Sequence, residues 1–450
     1  MNALHRLKPH RPELRRPKLH RFKFDRRGSL SVFLVVVFAC FITVSAVLFA
    51  GAKSVAGRSM ADASLQLAGR SVLSEYDKRM FGDYGLIGFR GDESWIEDAI
   101  AYYAEASLAP KDPRYALFRS GRSRTVSQDV RCETVEASLA GYSLYDLDNF
   151  EDQIRTAALP QTLGALRGNT GNASANSGSA KGGTSRDDGY GRVLRSQSVI
   201  SSLPSTGYKG PLFPSFGVIT DIPEIENVMR EGTSLFAVSE YALSVFGNHV
   251  DGAKRDRFFG NEIEYLIAGK RNDASNYADI KNRLRAMRFL LNNIALASDP
   301  VKMAKVEEIA LAAAAISAEI LYAPTKVAIM EAWVAAETGN DLMLLERGAK
   351  VALTKSPAQW ATQNIAEIWA GWTSSEPAYA VDSSGQGYRD YLRLMLYVLD
   401  RETKLLRMMD LMQINLKGTY YADFLMREHY MGFRFSCRVN GDEYAYTHKY

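Results

Sequence analysis

The strongest pattern along the chain is an uninterrupted apolar run. Residues 30–52 read LSVFLVVVFACFITVSAVLFAGA and hold no charged side chain. At about 1.5 Å per residue, a helix of some 23 residues crosses the roughly 30 Å hydrocarbon layer with modest tilt. A buried core helix of that length normally keeps a polar face, so the run predicts a transmembrane helix. Ser31, Thr43 and Ser45 cost little there, because their hydroxyls bond back to the helix backbone. Ala50-Gly51-Ala52 has the small-x-small form of a signal-peptidase site. The apolar stretch nevertheless exceeds the roughly 7–15 residues of a signal peptide, so a retained anchor is expected.

Helical spacing continues past the anchor. Residues 53–80 contain no proline. Ala56, Met60, Ala63 and Leu67 fall on one line and Leu65, Val72, Tyr76 and Met80 on another. This predicts one long helix from Leu30 to about Met80, amphipathic in its second half. A turn and short strand are expected at 81–89 and a helix at 92–108, closed by Pro110. Strand-like pieces follow at 115–118 and 125–133, then a helix at 149–166. Residues 168–184 consist only of Gly, Asn, Thr, Ala, Ser and Lys, hold no larger apolar side chain, and read as a flexible linker extending towards Pro223.

Helix dominates from there, with candidates at 224–230, 234–246, 258–270, 275–297, 300–322, 325–338, 357–371 and 387–416; the last is read as a helix with one buried face. Phe433, Phe435, Cys437 and Val439 then alternate with polar residues, Asn440-Gly441 follows, and Tyr444 and Tyr446 alternate again. Asn-Gly between alternating strands is a strong hairpin signal. The expected fold class is therefore α+β: a transmembrane helix continuing into a long amphipathic helix, then a helix-rich exported domain with a small antiparallel sheet and a C-terminal hairpin. The expected divisions are a basic tail (1–29), the membrane helix (30–52), a membrane-proximal α+β region (53–167), a linker or loop (168–223) and a helix-rich region (224–450).

Charge sets the orientation. Residues 1–29 carry ten Lys and Arg against Glu13 and Asp25, whereas only Lys53 and Arg58 lie just beyond the other end of the run. Basic flanks stay in the cytoplasm, so the C-terminal part should lie outside the cell membrane, with the tail able to touch anionic lipid headgroups. The remainder of the chain is net acidic, which argues against a nucleic-acid partner.

No P-loop, GxSxG, HExxH or EF-hand motif is present. No catalytic, cofactor-binding or metal residue is therefore assigned, and a non-enzymatic role is expected, as a structural or assembly protein or, alternatively, an exported adhesin or ligand-binding module. The acidic pairs Glu262/Glu264 and Glu307/Glu308 read as solvated helix faces, and the tyrosine-rich C-terminus as sheet packing. Of the three cysteines, Cys132 and Cys437 lie in strand-like sequence of the exported part. A disulfide between them and two buried free thiols are both open.

Two regions together resemble a known group. Arg26-Arg27-Gly28-Ser29 precedes the apolar helix and AGRSVLSEYDKRMFGDYGLIGF follows it at 68–89. Further on come FFGNEIEYLIAGK at 258–270, NRLRAMRFLLNNIALASDP at 282–300, and the helix-rich stretch 388–417. The combination resembles a bacterial family of single-pass membrane proteins that look like relatives of the tight-adherence (Tad or Flp) pilus assembly proteins of the TadE and TadG kind. The resemblance implies a place at the cell envelope, pilus or secretion assembly proteins as partners, and no catalytic residue. By likeness to pilins, a prepilin peptidase would cut between Gly28 and Ser29; the chain departs from that pattern with Phe33 where major pilins place Glu.

Overall fold

The computed structural model describes residues 26–108, 132–166, 203–207, 232–254, 257–317, 320–363 and 385–450. The expected strand at 115–118, the helix at 224–230 and most of the linker lie outside these residues.

Helix α1 runs unbroken over Arg26–Leu73, 48 residues, or about 72 Å at the α-helical rise. It stops earlier than the apolar spacing suggests. Ser74 closes the last turn through its N–H to the Arg70 carbonyl at 3.0 Å. Asp77 then starts a separate helix, α2 (Lys78–Tyr84), by accepting from the N–H groups of Arg79 and Met80. Gly85, at φ 68°, ends α2 in the left-handed conformation. The two-residue strand β1 (Phe89–Arg90) follows, then α3 (Glu93–Leu108), whose first turn Asp92 caps at the Trp95 N–H.

The C-terminal hairpin forms as its sequence dictates. β4 (Gly432–Val439) and β5 (Asp442–Lys449) pair antiparallel around Asn440 and Gly441, both at positive φ (51° and 83°). That is the geometry a two-residue Asn-Gly turn supplies at least cost. β2 (Cys132–Ser138) adds to the other side of β4, giving the order β2-β4-β5, and β3 (His429–Tyr430) pairs with β1. One face of this sheet, with Phe433, Phe435, Cys437 and Val439, packs on α3 and on the second half of α1 through Ala61, Leu65, Ala68 and Val72. Burying a Leu or Val side chain there contributes about 1.5–3 kcal/mol relative to exposure.

The rest is helical: α4 (Leu147–Leu166), α5 (Gly232–Val245), α6 (Glu262–Ala268), α7 (Asp273–Ala297), α8 (Pro300–Ser317), α9 (Tyr322–Glu346), α10 (Tyr388–Val398) and α11 (Arg401–Thr419). The stretch 387–416 is two helices, not one. Leu399 is extended (ψ 133°), and Asp400 caps α11 at the Thr403 N–H, 3.0 Å. Nor does α11 keep an open face: Thr403 through Leu416 are all buried, and α11 forms the axis of the largest core. The fold is α+β with helices outnumbering strands, as the sequence implied.

Candidate interaction surface and buried polar clusters

The apolar part of α1 is exposed along its length. Every side chain from 30 to 56 is exposed, among them Val47, Leu48 and Phe49 at 72%, 68% and 68%. Past the apolar run the helix docks by a single stripe, Ala61, Ser64, Leu65, Ala68 and Val72. Ala63 and Leu67 stay open on another face, while Met60 is half-buried against the sheet cluster. Arg58 reaches across to Asp442 on β5 (2.8 Å), fixing the helix to the hairpin just beyond the apolar part. A side chain at Gly51 would meet no atom of the described residues within 4 Å. Gly28 and Ser29 lie in the first turn of α1.

The helical body contains ionisable groups where the sequence suggested solvent. Glu262 and Glu264 are fully buried, which corrects their reading as a solvated face. Their short helix α6 is buried along its whole length, with α7, α10 and α11 as neighbours. Glu262 accepts from the Gly247 N–H (2.9 Å) and from Asn415 Nδ2 (2.7 Å). Glu264 Oε1 accepts from the His249 N–H (2.9 Å) and the Tyr388 hydroxyl (2.7 Å), whereas its Oε2 has no hydrogen-bond partner among the described residues. Burial raises the Glu264 carboxyl from 4.5 to about 7, against the pull of those two hydrogen bonds. Glu307 behaves differently: it is half-exposed and pairs with Lys326 at 2.7 Å.

A second cluster joins α7 to α9. Arg288 and Asp341 are both fully buried. Asp341 Oδ2 accepts from Arg288 Nε (3.0 Å), Arg288 Nη2 (2.8 Å) and Asn292 Nδ2 (2.8 Å). Its other oxygen takes Lys355 Nζ at 2.5 Å, and Lys355 also bonds Glu337. Glu337 in turn accepts from Ala361 and Thr362 N–H groups, each at 3.0 Å. Arg288 Nη1 binds the carbonyls of Ala352 and Leu353. Two cations and two anions thus balance, and the cluster clamps residues 352–362 against the two helices.

A third set lines α11. Asp410 accepts from the Ser205 N–H (3.0 Å) and the Tyr265 hydroxyl (2.8 Å), and burial raises its carboxyl. Arg407 Nη1 donates to the Leu266 and Ile267 carbonyls, capping the end of α6. Lys404 is fully buried with its ammonium on Ser239 Oγ (3.0 Å), and burial lowers it to about 8. Among the described residues, no three His, Cys, Asp or Glu side chains gather as a metal site.

The sequence profile of a family of unknown function (DUF5702) matches residues 193–441, more than half of the chain. The chain belongs to this family. No curated protein and no solved structure matches it. The DUF5702 segment holds all three buried polar clusters, the axial helix α11 and the whole of β4. It begins after α1, so the apolar helix and β2 stand before it. The clusters escaped the reading of the sequence because nearby charges on a helix ordinarily face water. One signal was available in α7. Asn276, Ile280, Leu284, Arg288, Asn292 and Leu296 recur every four residues and are all buried, so polar side chains stand on an apolar stripe. Cys132 and Cys437 are brought together, their sulfurs 2.9 Å apart.

Proposed function

We propose that this chain is a single-pass protein of the cell membrane with its N-terminus in the cytoplasm. In this reading it serves as a non-catalytic structural or assembly component of a Tad-like pilus or secretion apparatus. The observation that carries the reading is α1. It is exposed and apolar over a bilayer's length, then continues without a break into a stripe that ties it rigidly to the folded part. Membrane lipid covers the first half. Basic residues at 21–27 hold the N-terminal side in the cytoplasm and place residues from 53 onward outside. Protease added to intact spheroplasts should therefore digest the C-terminal part, and its full protection would reverse the orientation.

Partners would be other envelope or pilus assembly proteins, meeting α1 on the side that its own domain leaves open. Lipid gives helices no hydrophobic reason to associate, so close packing at small residues matters. Gly51, Ala52 and Ala56 are exposed, and Ala63 and Leu67 are open above them. Replacing Gly51 and Ala56 with Leu should leave insertion and folding intact, because the added carbons at Gly51 meet open space and Leu is favourable in lipid. The double variant is expected to lose most of its crosslinking to envelope assembly proteins. Crosslinking at the unsubstituted level would reduce α1 to an anchor and remove the assembly role.

A further inference from the structure

We propose that Cys132 and Cys437 form a redox-closed staple, a disulfide that fastens the start of β2 to β4. The strand register is what brings them together. Val135 lies opposite Cys437 and Thr134 opposite Arg438, but Cys132, not Glu133, lies opposite Val439. In an unbroken ladder Glu133 would take that place, and Cys132 would point to the opposite face from Cys437. The bulge at Glu133 adds one residue to β2 and turns Cys132 onto the inner face. There it packs at the edge of the same core that buries Cys437.

The two sulfurs stand 2.9 Å apart, inside the roughly 3.5–4.0 Å contact of non-bonded heavy atoms. Closing to a bond of about 2.05 Å needs a movement under about 1 Å, which side-chain torsions supply. The two thiols are unequal. Cys132 is half-buried and Cys437 buried. The hydrogen bond from Cys437 lowers the Cys132 thiol and raises its own. Cys132 is thus the accessible nucleophile, and Cys437 the sulfur that follows.

The oxidant is a low-molecular-weight or protein disulfide. The Cys132 thiolate attacks one of its sulfurs and expels the other as a thiolate, leaving a mixed disulfide on Cys132. Cys437 gives its proton to the expelled thiolate and attacks the Cys132 sulfur, releasing the second thiol. Two cysteines lose two electrons and two protons, and the oxidant disulfide becomes two thiols.

The test uses the full chain in detergent, equilibrated with excess oxidised glutathione, then alkylated, digested and weighed. A linked 132/437 peptide pair, about 2 Da lighter than the two thiol peptides together, is expected. Dithiothreitol should return both thiols. The Cys437→Ser variant should stop at the first step and carry one glutathione on Cys132. Full alkylation of both cysteines after equilibration would overturn the staple. The measurement on purified protein does not depend on where the chain resides. A staple that closes in the purified protein but stays reduced in cells would count against an exported domain, not against the pair.

Discussion

Replacing Asp341 with Ala is expected to destabilise the protein by about 3–5 kcal/mol, the usual cost of stranding a buried charge. Asp341 is the shared anion of two cations, and its removal leaves Arg288 fully buried without a carboxylate. Lys355 keeps Glu337, and Arg288 keeps the Ala352 and Leu353 carbonyls and the Tyr391 hydroxyl. Those neutral acceptors do not offset the lost charge. A companion variant separates charge from packing. Arg288→Met combined with Asp341→Leu removes both ends, so the double variant should lose clearly less than the sum of its singles. Urea unfolding of the full chain in detergent, followed at the buried Trp333 and Trp360, measures both. A loss below about 1 kcal/mol for Asp341→Ala would mean that the cluster is hydrated in solution and holds nothing together.

What could be read from the sequence was set by local physics. The apolar run needs no partner to declare itself, because its length and lack of charge alone make it long and apolar enough to cross a bilayer. Asn440-Gly441 likewise specifies its turn from two residues that accept positive φ. Misreadings arose wherever a distant segment decides the outcome. Nothing within α6 shows that Gly247, His249, Tyr388 and Asn415 arrive to satisfy Glu262 and Glu264. The charges of α11 suggested an open face, yet Ser239 receives Lys404, and Leu266 and Ile267 receive Arg407. The approach of Cys132 to Cys437 depends on a one-residue bulge, which alternation cannot show. Long-range contacts also join regions far apart in sequence: β2 pairs with β4, and Tyr446 bonds Asp62 of α1 at 2.5 Å.

The Glu264→Gln variant should gain stability over the unsubstituted protein as pH rises from 4 to 8. Burial lifts this carboxyl from 4.5 to about 7, so between those values the folded state holds a proton that the unfolded state has released. The stability of the unsubstituted protein therefore falls as pH rises through this window and levels off above about 7. At about 1.36 kcal/mol per pH unit, the whole effect is about 3 kcal/mol. Glutamine keeps an oxygen for the His249 N–H and the Tyr388 hydroxyl. Its amide takes the place of Oε2, which has no hydrogen-bond partner among the described residues, so it resembles the protonated acid and carries no charge at any pH. Glu262 and Asp410 are also raised by burial, but they are present in both proteins and cancel in the difference. Paired urea titrations at pH 4, 6 and 8 give that difference directly. A gap that stays constant within about 0.5 kcal/mol would show that Glu264 is ionised at its ordinary value and that water reaches its second oxygen.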